Sequence, residues 1–184
     1  MTMNDMKLNL GCGNDIRKDC INLDKHYLSG VDVTHDLDKL PLPFSDGQFD
    51  EILAKDVLEH VDYIPLLKDL LRIMKPGAKL TVFVPHWTST NMYTDPTHKH
   101  FFAIRTFGFF CKESPYLKSV DRSYYTDFHF SSHKARITFP RHFGPLSWLN
   151  EWLVNIHPKV QVLYELTFWS RLFPAENVFA ELVK

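Results

Sequence analysis

Cysteine is scarce and unpatterned in this chain. Cys12, Cys20 and Cys111 show no metal-ligand spacing, and an odd number does not build a disulfide framework. A reducing, cytoplasmic compartment is the expectation. Long apolar runs are also lacking. None approaches the roughly 20 residues that cross a bilayer, and the N-terminus lacks the basic-then-apolar order of a signal peptide. No repeat, low-complexity tract or flexible linker divides the chain, so residues 1–184 are expected to form a single domain with a substantial core. Nor is there an excess of charge. A formal net charge of −1, with 45% hydrophobic and 23% charged residues, is ordinary for a globular protein and argues against a nucleic-acid binder.

The charge is nevertheless uneven. Residues 1–60 hold six bases against twelve acids, a net of −6. Residues 98–142 hold eight bases against three acids, a net of +5, together with five of the ten histidines. Such a basic stretch is either a solvated surface or a device that attracts an anionic substrate.

Strand and helix signals alternate through the first half, which implies a parallel sheet with crossovers. Strands are predicted at 7–10, 21–23, 31–34, 51–54 and 79–84. Between the last two, Asp62 can cap a helix, Pro65 suits its first turn, and Leu67, Leu70, Leu71 and Met74 repeat at helical spacing. Lys75-Pro76-Gly77 is expected to stop that helix and turn the chain. Only ten residues separate Gly13 from Asp24, about the minimum for a crossover, so the first crossover helix must be shortened to a turn or two or give way to a loop. Residues 86–103 read as a long loop, 103–112 as a short helix and 124–139 as antiparallel strands. Two aromatic-rich helices meeting near Pro158 are expected over 146–173, with a returning strand at 177–183. The chain thus divides into a cofactor-binding half, 1–85, and a substrate-binding and lid half, 86–184.

Glycine is absent where one familiar pattern needs it. A nicotinamide-binding turn has three glycines as G-x-G-x-x-G, whereas position 16 here is Ile. What remains is Gly11-Cys12-Gly13 after an apolar strand, with acids following at Asp24 and Asp36. A glycine turn lets backbone N–H groups approach a ligand closely. Followed by two acids, it is how an open α/β sheet grips an adenosine-bearing cofactor.

With those residues in view, Leu8–Gly13, Asn22–Asp24, His35–Leu40 and Phe49–Val61 with Arg72–Gly77 resemble class I S-adenosylmethionine-dependent methyltransferases. The resemblance is to small members of the type 11 kind, including an uncharacterised bacterial and archaeal subgroup similar also over His86–Phe102. It implies a Rossmann-like α/β sheet, mostly parallel with an antiparallel C-terminal strand, under an aromatic helical cover. It implies S-adenosyl-L-methionine as cofactor, with Gly11, Cys12 and Gly13 along its methionine part. Asp24 would take the ribose hydroxyls, Asp36 and the Leu37 N–H the adenine, and Asp56 would lie near the sulfonium or amino-acid end.

Methyl transfer needs alignment and, for a protonated acceptor, a base. The candidates are His86, His98 and His100, in the loop after the fifth strand where open α/β sheets place their sites. Asp95 with these histidines could alternatively hold a divalent metal, but the spacing is common and no metal is expected. The acceptor is expected to be small and anionic: an acidic metabolite, nucleotide-linked sugar or lipid-linked glycan. A nucleic-acid methyltransferase and a silent adenosine-binding partner subunit are the competing readings. The aromatic stretch 148–173 suits core and lid, contact with a second copy in a homodimer, or peripheral contact with lipid.

Overall fold

The computed structural model describes residues 5–116 and 126–184. Its strands are β1 (Lys7–Leu10), β2 (Ile21–Asp24), β3 (Val33–Thr34), β4 (Phe49–Lys55), β5 (Met74–Pro85), β6 (Cys111–Glu113), β7 (Phe130–Thr138) and β8 (Asn177–Val183). They form one sheet in the order β3-β2-β1-β4-β5-β8-β7-β6. All pairs are parallel except those of β8, which runs antiparallel to β5 and β7. Strand order reverses between β1 and β4. At such a switch point the connections leave in opposite directions and open a crevice at the carboxyl ends of the strands. No helix of the described residues is long and apolar enough to cross a membrane.

The shortening expected of the first crossover goes to completion: no helix forms between β1 and β2, only successive turns. The face a helix would have covered is closed by a polar network instead. Asn9 of β1 and Asn22 of β2 are both buried, and Asn9 Nδ2 donates to Asn22 Oδ1 at 3.1 Å and to the Asp15 carbonyl. Asn22 Oδ1 accepts from Arg17 N, and its Nδ2 donates to the Arg17 carbonyl. Two side-chain amides thus satisfy the backbone of a loop too short to satisfy itself.

One crossover does carry a full helix, α1 (Tyr63–Ile73), between β4 and β5. Its Leu66, Leu67, Leu70 and Ile73 are buried, each contributing about 1.5–3 kcal/mol of apolar burial. Asp62 precedes the helix but makes no side-chain cap; its N–H donates to Asp38 Oδ1. Lys75-Pro76-Gly77 does not form a separate turn. β5 begins at Met74, and the register jumps from Met74↔Phe49 to Lys79↔Glu51, so the intervening residues bulge out of the ladder and Pro76 needs no ladder donor. Arg72 pins the preceding loop, donating to Asp69 Oδ1 at 2.7 Å, Asp46 Oδ1 at 2.8 Å and the carbonyls of Phe44 and Leu42.

The second half departs further from the sequence reading. The helix expected over 103–112 is a 3-10 turn at Thr106–Phe110 running into β6. The antiparallel strands expected over 124–139 reduce to β7 alone, antiparallel to β8 but parallel to β6; Tyr124 lies outside the described residues. Loop 86–103 contains the four-residue α2 (Asn91–Thr94). Three helices follow rather than two: α3 (Pro145–Asn155), α4 (Pro158–Leu166) and α5 (Trp169–Leu172). Proline opens both longer ones, where its missing N–H costs nothing. The aromatic cover is only partly core. Tyr164 is fully buried, with its hydroxyl donating to the Phe173 carbonyl at 2.7 Å, whereas Trp148 and Trp152 are each 65% exposed.

Candidate functional site

The carboxyl ends of β1, β2 and β4 flank the switch point, and the first group of candidate residues gathers there. Gly11 has φ +61° and Gly13 φ +48°, both in the left-handed region. A Cβ at Gly11 would lie 2.4 Å from Val57 Cγ2, so only glycine lets the two strand ends approach. A Cβ at Gly13 would meet nothing within 4 Å; it faces open space. Asp24, nearly buried at the end of β2, reaches back to this turn: Oδ2 accepts from Gly13 N at 2.8 Å and Oδ1 from His26 N at 2.8 Å. A carboxylate offers about four lone-pair sites, so two hydroxyl donors can still be accommodated. Cys12 N donates to the Leu23 carbonyl, and burial pushes the buried Cys12 thiol up, which keeps it unreactive.

Asp36 and Leu37 follow β3. Asp36 Oδ1 accepts from Asp38 N, and Leu37 is buried at the edge of a hollow of about 550 Å³ shared with Asp38, Asp62, Lys99 and His100. Asp56 follows β4 with φ +52°, a non-glycine residue in left-handed conformation, and its N–H donates to the Phe83 carbonyl. Aspartate tolerates this backbone better than most residues. It stands at the carboxyl end of β4, beside the switch point.

Beyond Asp56 opens a cleft of about 690 Å³, lined by Asp56, Glu59, His60, Asp95, His98 and Glu176 among others. The three histidines proposed as bases separate here. His98 enters the cleft: its Nδ1 lies 3.2 Å from the Met92 carbonyl and its Nε2 3.9 Å from Asp95 Oδ2. His100 points elsewhere, edge-on to the Tyr63 ring at 5.0 Å. His86 is fully buried, with Nδ1 at 2.7 Å from Thr88 Oγ1 and Nε2 at 3.1 Å from Glu165 Oε1. Both its nitrogens are engaged away from solvent, so His86 ties the α4 cover to the end of β5 and is withdrawn as a base. Glu165 Oε1 also accepts from Ile104 N, and Thr88 Oγ1 from Ala175 N, which completes that tether.

Glu59 and His60 lie in the turn before α1. Glu59 is completely buried, and neither carboxylate oxygen has a hydrogen-bond partner. Burial, reinforced by Asp56 and Asp95, pushes its carboxyl up to about 8. The available signal was a Glu-His pair between apolar Leu58 and Val61, just past a strand's carboxyl end.

Among the described residues, no lysine or arginine lines this cleft. Lys99 pairs with Asp38 at 3.7 Å, and Arg141 pairs with Glu151 and stacks on Trp148. Arg136 lies over the Phe179 ring, and Lys118 and Arg122 fall outside the described residues. Lys99, Arg136 and Arg141 of the basic stretch are therefore dispersed rather than focused on the cleft.

Residues 8–82 match the family model described as a methyltransferase domain. A 45-residue stretch is 49% identical to an uncharacterized protein of Methanocaldococcus jannaschii, spanning 24% of this chain and 20% of that protein, so the chain matches about a fifth of that relative's length. Similar folds occur in a SAM-dependent methyltransferase of Archaeoglobus fulgidus (TM-score 0.63, 16% identity, 98% of this chain and 86% of that one). Phosphoethanolamine N-methyltransferase 2 of Haemonchus contortus, solved with S-adenosyl-L-methionine, gives a TM-score of 0.58 at 16% identity over 100% of this chain and 49% of that one. The complex between the Haloferax volcanii Trm112 methyltransferase activator and a proposed methyltransferase gives a TM-score of 0.52 at 16% identity, covering 98% of this chain and 82% of that one.

Proposed function

We propose that this chain, whose residues 8–82 match a methyltransferase-domain model and whose fold resembles that of S-adenosylmethionine-dependent methyltransferases, transfers a methyl group from S-adenosylmethionine to a small acceptor. One observation carries the donor site. Gly13 N–H donates to Asp24 Oδ2 at 2.8 Å, joining the glycine turn and the acid into a single cradle beside the switch point. In that cradle Gly11, Cys12 and Gly13 border the methionine part, Asp24 accepts from the ribose hydroxyls, and Asp36 with Leu37 meets the adenine. Asp56 stands between donor and cleft. The donor supplies a methyl already activated by the sulfonium charge, which leaves the chain to align the acceptor and take its proton.

The cleft beyond Asp56 has the volume of a small-molecule site. His98 is the base best placed in it: donation from Nδ1 to the Met92 carbonyl leaves a lone pair on Nε2 facing the cleft. The lining of carboxylates and imidazoles favours a neutral or amine acceptor when no cation is present. An anionic acceptor would need a positive charge that these side chains do not supply. The bare apolar residues of α3 and α4, including Trp148, Trp152 and Leu166, suit a contact between two copies of the chain, which light scattering at increasing concentration tests.

Calorimetric titration with S-adenosylmethionine and its demethylated product tests the donor site. Saturable one-to-one binding of both is expected. A folded protein that binds neither refutes the reading and leaves a silent scaffold.

A further inference from the structure

Glu59 sits in the cleft wall fully buried, with both oxygens lacking a hydrogen-bond partner. A native fold rarely retains such a carboxylate without a use, because its desolvation is not repaid by any hydrogen bond. Two imidazoles converge on it. His98 Nε2 lies 4.0 Å from Glu59 Oε1, and one ligand atom each from Glu59, His60 and His98 fall within 4.8 Å of one another. The juxtaposition is built by the backbone, since Lys99 N donates to the Glu59 carbonyl at 2.7 Å and holds the 97–99 segment against the 59–60 turn.

Outer contacts orient both rings. His98 Nδ1 donates to the Met92 carbonyl, so its Nε2 carries the free lone pair. The Thr97 hydroxyl donates to Asp95 Oδ1 at 2.6 Å, so its oxygen accepts from His60 Nδ1 at 2.9 Å and leaves the lone pair on His60 Nε2. An imidazole whose other N–H is held by a carbonyl or hydroxyl is prepared as a metal ligand.

We propose that Glu59, His60 and His98 form a binding site for one divalent cation of the Zn²⁺ or Mn²⁺ kind, with Asp95 within reach as a further ligand. Two imidazoles and a carboxylate suit such borderline cations better than the all-oxygen sites of Ca²⁺ or Mg²⁺. Bonds of about 2.0–2.2 Å bring ligand atoms to roughly 3–3.5 Å from one another. The ligand atoms, now within 4.8 Å of one another, must close by about 1–2 Å to reach that. The role of the ion rests on the acceptor-cleft reading above, except that the ion takes the His98 Nε2 lone pair, so in the ion-bound protein His98 is a ligand rather than the base. The ion supplies the positive charge that the described lining lacks, and its open positions would take an anionic oxygen of the acceptor. Binding of the ion does not depend on that reading.

The full chain, stripped with chelator and free of S-adenosylmethionine, is titrated with Co²⁺ by visible absorption and with Zn²⁺ by calorimetry. One equivalent of each is expected, with d–d bands that Zn²⁺ abolishes. Glu59→Gln, His98→Ala and His60→Ala should each weaken binding by at least about 100-fold. His157→Ala, at the start of α4, should not. Should the buried Glu59→Gln variant fail to fold, the two histidine variants carry the test. No cobalt band, or wild-type affinity in both His98→Ala and His60→Ala, overturns the site. A protein that binds S-adenosylmethionine but no cation overturns the site alone; one that binds the cation but no donor overturns the methyl-transfer reading alone.

Discussion

Replacing Asp24 by Ala removes the one side chain that belongs to both the scaffold and the proposed donor cradle. Its two carboxylate oxygens hold Gly13 N and His26 N at 2.8 Å each. Charge-assisted bonds of this kind are worth about 1.5–3 kcal/mol each, but at this edge water can replace part of them. The expected loss of fold stability is about 2 kcal/mol, or roughly 4–8 °C in Tm for a domain of this size. Binding should suffer more. Two ribose hydroxyls lose a charged acceptor, costing about 3 kcal/mol at the least, roughly 150-fold in Kd. Asp24→Asn separates the two effects, because its amide oxygen retains one acceptor while the charge is lost. Its NH2 cannot accept from one of the two N–H groups, so it should melt a few degrees below wild type but above Asp24→Ala, and bind the donor at least about tenfold more weakly. Circular dichroism melts and calorimetry with S-adenosylmethionine are the measurements. A folded Asp24→Ala protein with unchanged donor affinity would refute the cradle.

Gly11→Ala should cost about 2–4 kcal/mol, combining a left-handed alanine with the clash on Val57 Cγ2. Val57→Ala in the same chain should recover the steric part; purely additive losses in a urea double-mutant cycle would show that the contact is not the cause. Arg72→Ala should destabilise by about 2–4 kcal/mol, because nearly buried Asp69 keeps only Leu42 N as a donor, and Arg72→Lys should not rescue the lost fork. A loss below about 1 kcal/mol for Arg72→Ala would remove the clamp from the account. His133 of β7 is buried beside Tyr116 with neither ring nitrogen partnered, and burial lowers its pKa from 6.5 to about 4. Between those values the unfolded chain binds the proton and the native chain does not, so stability should fall by up to about 3 kcal/mol as pH drops from 6.5 to 4. His133→Leu should flatten that part of the stability–pH curve; an unchanged slope would exclude His133 as its source.

Local pattern alone placed much of the cofactor half. The strands expected at 7–10 and 21–23, Leu67 and Leu70 of the α1 stripe, and the returning strand at 177–183 are each written in neighbouring residues. Expected Leu71, by contrast, is only half-buried, Met74 already belongs to β5, and Leu66 and Ile73 complete the buried face. Hydrophobic periodicity reports which face of a segment is buried, and glycine and proline report where it must turn. The glycine turn and its two acids were legible for the same reason, since each ends or follows a short strand. What spacing cannot report is which distant segment fills a volume. His86 looked like a base because it follows β5 directly, yet Glu165, 79 residues later, comes back on α4 and buries it. The missing crossover helix is another such case, because Asn9 and Asn22 close that face only once β1 and β2 are paired. Glu59 shows it most plainly. Its identity and its neighbour His60 are local facts, but its burial and its approach to His98 arise only when the loop after β5 folds back over the end of β4. Desolvation and charge proximity are properties of that enclosed volume, and only the tertiary structure creates it.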